Sequence, residues 1–290
     1  MDTAAITADD ITLPSGLRLA FRRAGTGGRT FLLVHGLASN ARLWDGVARR
    51  LAAAGHTAIA VDQRGHGASA RPADGYDTGT CADDLAAFCG ALGLTRPIVA
   101  GQSWGGNVVL TFAAVHPDAL GAVCCVDGGW LRPAQSFATF EDCWRVLEPP
   151  QMDSWRWDDI EARIRSSMAG WPDDAAGATL ANLERTPEGG VRPHLDRAHH
   201  RSIVKSLYDA DPRALYPHVT VPALLCPAVG AVASPGEDAR QVQMRDAVRE
   251  ALALLPRGDV HWFPGAHHDV HAQQPDELTG ALLALSEVVS

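Results

Sequence analysis

The amino-acid sequence predicts an α/β protein: a mainly parallel central sheet flanked by helices, with a helical insertion in the middle of the chain. Three observations predict it. Short, continuously apolar runs alternate with segments of helical spacing, as in a parallel sheet covered on both faces. Four of these runs end at a residue with a chemically useful side chain: His35, Asp62, Ser103 and Asp127. Ligands of such sheets gather at the carboxyl ends of the strands, so these four are expected on one edge. The alternation then stops between about Trp130 and Pro217 and resumes at Val221. The expected division is a core of residues 1–129 and 217–290, interrupted by a helical cap over 130–216.

The elements follow in order. Ile11 to Leu13 and Leu17 to Arg23 alternate apolar and polar around Pro14-Ser15-Gly16, which reads as a hairpin. Thr30 to Val34 is a buried strand ending at His35-Gly36. Residues 42–54 have helical spacing, with Leu43, Val47 and Leu51 four apart. Thr57 to Val61 is the next strand, and 80–92 the next helix, carrying Leu85, Phe88 and Leu92. A strand over 96–100 and a helix over 105–114 bracket the pentapeptide Gly101-Gln102-Ser103-Trp104-Gly105. Leu120 to Val126 is a strand that ends at Asp127-Gly128-Gly129. The insertion has no clear buried strand and holds Trp130, Trp144, Trp155, Trp157 and Trp171, five of the eight tryptophans. After it come a strand over 221–226, a helix over 237–255, a strand over 259–263 and a last helix from Pro275.

Composition narrows the partners. With 290 residues, 46% hydrophobic and 20% charged, the chain can bury one sizeable core. A net charge of −9 argues against nucleic acid or an anionic membrane as partner. The first residues have neither a basic nor an apolar region of a signal peptide, and no run approaches the ~18 apolar residues of a membrane span. The six cysteines form no C-x-x-C pair and lie mostly in apolar segments, which suits buried, reduced thiols and a cytoplasmic location. A small molecule is the expected partner. No oligomeric state is legible.

The pentapeptide carries the chemistry. Strand, Gly-x-Ser-x-Gly, helix is the pattern of a nucleophile elbow. The serine sits in a tight turn with its hydroxyl held over the sheet, and the flanking residues must be small because strand and helix nearly touch. The helix start supplies N–H groups to an oxyanion. A serine hydroxyl needs a base, and the base an orienting acid. Of twelve histidines, those in Gly265-Ala266-His267-His268-Asp269-Val270-His271 lie in a loop after the last strand, where a base could reach Ser103. Three histidines and an aspartate so close could also bind a metal. No matching second ligand set is evident, so no metal and no cofactor are expected.

These pieces together resemble the α/β-hydrolase fold of lipases, esterases, dehalogenases and epoxide hydrolases. The resemblance rests on His35-Gly36-Leu37, the stretch Asp62 to Ser69, the pentapeptide at 101–105, and Pro264 to His268 followed by Gln274-Pro275. It spans about 30–275 in family order. It implies His268 as the base. It implies an oxyanion hole from the amides of Leu37 and Trp104. The family usually carries its acid after the strand at 221–226, where the first carboxylates are Glu237 and Asp238. Some members carry it after the strand that follows the elbow helix, which is Asp127 here. Asp127 is the preferred acid and Asp238 the alternative. The stretch 62–69 reads as a structural brace.

The nucleophile restricts the reaction. Dehalogenases and epoxide hydrolases of this fold attack with a carboxylate and form an ester that water can cleave; a serine would leave an inert ether. Ser103 therefore implies attack on a carbonyl through an acyl-enzyme. An ester or lactone is the expected substrate, with a thioester, a carbon–carbon bond or haloperoxidase-like chemistry as alternatives, and a non-catalytic receptor as the reading from another class. Trp104 and Trp130, with Asn40, are the candidate walls of a largely apolar pocket.

Overall fold

Apolar alternation within single strands builds two packed layers, one on each face of an eight-stranded sheet. The computed structural model describes residues 5–230 and 235–289, without the side chains of 235–238. The first strands are β1 (Ile6–Thr12), β2 (Arg18–Ala24), β3 (Thr30–Val34), β4 (Thr57–Val61), β5 (Ile98–Gln102) and β6 (Ala122–Val126). Then come β7 (Leu183–Arg185) and β8 (Val191–Pro193), followed by β9 (Ala223–Cys226), β10 (Ala228–Val229), β11 (Gly258–Val260) and β12 (Phe263–Pro264). The main sheet has the order β1-β2-β4-β3-β5-β6-β9-β11. All pairs from β4 to β11 are parallel, while β1 and β2 join antiparallel at one edge.

Successive side chains of β3 point to opposite faces. Leu32 and Val34 pack with α2 (Thr78–Ala91) and α3 (Trp104–Val115) through Leu85, Phe88, Val109 and Phe112. Phe31 and Leu33 pack with Val47 and Leu51 of α1 (Asp45–Ala53) and Leu282 of the C-terminal helix. This alternation is why a fully apolar run such as Phe31-Leu32-Leu33-Val34 reads as a central strand.

Between β6 and β9 lie α4 (Phe140–Leu147), α5 (Trp157–Ser167), α6 (Ala175–Leu180) and α7 (Arg197–Asp209). The segment also holds the antiparallel β7–β8 hairpin, which the sequence does not predict. Its strands are three residues each, too short for alternation to register. After β9 follow α8 (Pro235–Leu254), α9 (Val270–Gln273) and α10 (Pro275–Glu287).

Several core strands differ from the sequence expectation: β1 begins at Ile6 rather than Ile11, and β6 and β9 begin at Ala122 and Ala223, two residues after the expected Leu120 and Val221. β5 begins at Ile98, two residues late, because Arg96 takes a positive φ of 44° and Pro97 has no N–H to donate. The expected strand at 259–263 is two pieces: β11 pairs with β9, and β12 pairs with β10 in a separate small sheet. That small sheet carries the chain beyond the main sheet edge and delivers the His267-His268 loop. Among the described residues no helix is long and apolar enough to cross a membrane.

Candidate active site

Ser103 sits between β5 and α3 at φ 55°, ψ −125°, a left-handed conformation that costs a non-glycine residue roughly 1–3 kcal/mol. Its neighbours explain the glycines. A Cβ on Gly101 would lie 2.2 Å from the Gly105 carbonyl oxygen, and one on Gly105 would lie 2.4 Å from the His35 carbonyl oxygen. The turn therefore closes only with glycine at both positions. The Ser103 amide donates to the Val126 carbonyl, 2.9 Å, which ties the elbow to the end of β6.

The next residue of that strand end is Asp127, also left-handed at φ 43°. Its amide donates to Cys226 O at 2.9 Å, and its Oδ1 accepts from the Ala228 amide at 3.0 Å. Oδ2 is left facing the histidine loop, where His268 Nδ1 donates to it at 2.5 Å. Gly128 follows at such close quarters that a Cβ there would lie 2.0 Å from Ser103 O. Gln102, just before the serine, donates from Nε2 to His268 O at 3.0 Å. Ser103, Asp127 and His268 thus converge on one sheet edge. Among the described residues no hydrogen bond joins Ser103 Oγ to the ring. With Nδ1 held by Asp127, Nε2 is the nitrogen left for a hydroxyl.

The electrostatics of His268 follow from this pairing. Desolvation opposes the imidazolium, but the hydrogen bond and charge of Asp127 outweigh it, Asp269 adds to them, and the pKa rises above 6.5. The neighbouring histidines face other partners. The His267 ring packs edge-on against Trp171, 5.2 Å between centroids. His271 is fully buried beside Trp44, and burial pushes its pKa down to about 4. Among the described residues no three His, Cys, Asp or Glu side chains are grouped to hold a metal ion. The Asp238 side chain lies outside the described residues.

The turn after β3 completes the edge. The Leu37 and Trp104 amides donate to no other described residue. Ala38 takes φ 54°, and its amide donates to His66 Nε2 at 3.1 Å. His66 in turn donates from Nδ1 to Arg64 O at 2.9 Å. Burial above all, with His35 nearby, holds the His66 pKa well below 6.5, so the ring stays a neutral acceptor. His35 does similar work: Nδ1 donates to Gly36 O and Nε2 accepts from the Gln63 amide. In the loop at 62–69, Asp62 accepts from the amides of Ala41 and Ala68, and Arg64 forks onto Asp84. Sequence reading missed the Gln102 tether and the His66 support of the Leu37 turn. The only available signal for the second was the histidine in Arg64-Gly65-His66-Gly67.

The expected pocket walls need correction. The Trp104 side chain is fully buried in the core layer, with its indole N–H directed at Thr78 Oγ1 at 3.4 Å. Trp130 is 7% exposed and belongs to the core layer under α7. Asn40 is committed elsewhere: Oδ1 caps the following turn through the Arg42 amide, and Nδ2 donates to Ala178 O and Asn182 Oδ1. It ties the inserted segment to the core. The cavity beside the Leu37 turn, ≈ 480 Å³, is instead lined by Ala38, Ser39 and His66 from the core and by residues of α5, α6 and the β7–β8 region.

The family model for the alpha/beta hydrolase fold matches residues 29–177. The chain belongs to the alpha/beta hydrolase fold family. This α/β hydrolase is 30% identical over 285 residues to 2-(acetamidomethylene)succinate hydrolase of Mesorhizobium japonicum, covering 95% of this chain and 96% of the relative. It is 27% identical over 261 residues to the non-heme chloroperoxidase of Burkholderia pyrrocinia, covering 86% and 88%. The crystal structure of E-2-(acetamidomethylene)succinate hydrolase superposes with a TM-score of 0.78 at 25% identity, over 98% of this α/β hydrolase and all of the other.

Proposed function

We propose that the protein is a serine hydrolase that cleaves a carboxylic ester or lactone of a small molecule through an acyl-enzyme. Ser103 is the nucleophile, His268 the general base and then acid, Asp127 the orienting acid, and the amides of Leu37 and Trp104 the oxyanion donors. The observation that carries this reading is the His268–Asp127 hydrogen bond beside a left-handed serine. His268 Nε2 takes the Ser103 proton as Oγ attacks the carbonyl, and the imidazolium gains from the Asp127 carboxylate. The tetrahedral oxyanion meets the two unspent amides. His268 then protonates the leaving group, and a water activated by the same nitrogen hydrolyses the acyl-enzyme. The segment over 130–216 acts as a cap over the acyl or alcohol part. Six buried, unpaired cysteines suit a reducing, cytoplasmic setting.

An amide is the second reading. It is favoured by the near full-length match to a relative whose name describes hydrolysis of an acetamido compound. The same triad serves both, because only the leaving group differs.

A panel of p-nitrophenyl esters, lactones and acetamides tests the proposal. Ser103→Ala should abolish turnover, a loss on the order of 10⁴ or more. Asp127→Asn should cost on the order of 10⁴-fold, far more than Asp238→Asn. Retained Ser103→Ala activity would exclude the nucleophile, and the reverse ranking of the two aspartates would move the acid.

A further inference from the structure

We propose that the cavity beside the Leu37 turn recognises a carboxylate carried by the substrate, and that Arg163 is the specificity-determining residue that binds it. The inference rests on the serine-hydrolase reading for its connection to turnover.

Two permanently charged side chains line this cavity, Glu148 and Arg163. Glu148 is already neutralised by an ion pair with Arg197. Arg163, on α5, has no carboxylate partner among the described residues. The three histidines of the wall add no charge at neutral pH. Burial is the leading cause that holds His66, His194 and His200 below the ordinary histidine value. The cavity therefore offers one uncompensated positive charge.

The neutral polar groups agree with an acceptor-rich ligand. Ser39 Oγ is buried on this wall and has no hydrogen-bond partner. Asn182 accepts at Oδ1 from Asn40, which turns its NH₂ group away from that bond and leaves it as a donor. Much of the remaining wall is apolar, including Ile160 and Ile164. Arg163 is exposed at the rim of this wall, so a carboxylate seated there could meet its guanidinium fork side-on. Ser39 lies two residues beyond Leu37, so the Ser39 end of the cavity adjoins the turn that carries the proposed oxyanion donor. The volume of ≈ 480 Å³ suits a compact ligand of that kind.

Two esters of equal length test the inference: mono-p-nitrophenyl glutarate and the neutral p-nitrophenyl valerate. Arg163 is on the surface of α5, so Arg163→Gln should fold normally. It should lower kcat/KM about tenfold for the glutarate ester and less than twofold for the valerate ester. Arg163→Lys should restore part of the difference. An equal loss on both esters, or none on the glutarate ester, overturns the inference. Calorimetric binding of glutarate separates this result from the fate of the acyl chemistry. Wild-type and Ser103→Ala proteins should bind it alike, and Arg163→Gln about tenfold more weakly. If neither ester turns over, the hydrolase reading fails while glutarate binding still decides the subsite. Undetectable binding, or binding unchanged by Arg163→Gln, removes it.

Discussion

Asp127 is held on both carboxylate oxygens, one by the Ala228 amide and one by His268. Fixing both restricts the imidazole and leaves Nε2 as the ring nitrogen open to a hydroxyl. The same contact raises the His268 pKa, and this has a kinetic consequence. A general base works only when unprotonated, so activity should rise with pH through the His268 value, with the acidic limb of kcat/KM centred above 6.5. Asp127→Asn removes the charge that outweighs desolvation, so its residual activity should show a limb at lower pH. A fluorogenic ester sensitive enough for the slow variant would measure it; an unmoved limb would assign the titration to another group. Asp127 stood out in the sequence because it ends the strand after the elbow helix and precedes two glycines, and the structure pairs it with His268. Asn40 was not legible. Its partners Ala178 and Asn182 are 138 and 142 residues away, and no local pattern reports such a contact.

Strand ends and the turns that leave them form the element scale, and here sequence and structure agree most closely. β3, β4, β5 and β6 stop just before or at the residues that matter, because each apolar run must end where the chain leaves the core. Among the described residues, Ala38, Ser103 and Asp127 are three of the four non-glycine residues at positive φ, so backbone strain concentrates on this edge. Gly128 shows how little room remains. Gly128→Ala would drive a methyl group to within 2.0 Å of the Ser103 carbonyl oxygen, and something must shift. We expect a loss of roughly 2–3 kcal/mol with most of the activity. Gly280→Ala on α10 is the control: its Cβ meets nothing within 4 Å, so it should gain about 0.5–1 kcal/mol. Urea midpoints of the two variants check both signs. Equal midpoints would mean that the elbow tolerates displacement.

At the scale of the whole molecule, the inserted segment is where sequence reading ran out. It showed an interruption and a helical character and offered Trp130 as a pocket wall, but it gave no pairing for the segment's charges. Folding sorts them. Glu184 pairs with Arg71 and Arg192, Asp174 with Arg49, and Glu148 with Arg197, while Arg163 lines the cavity with no acid partner among the described residues. The first two sets also clamp the segment to the core. Trp171 packs on His267, so the segment touches the loop that carries His268. Which charge is left over depends on long-range pairing, and spacing along the chain carries no record of it. The central claim, however, concerns one atom. Labelling the folded protein with a fluorophosphonate, followed by intact-mass and peptide mass spectrometry, tests it most directly. The account predicts one adduct per chain, on Ser103, with none on the Ser103→Ala protein. No adduct, or an adduct on a different residue, would contradict it.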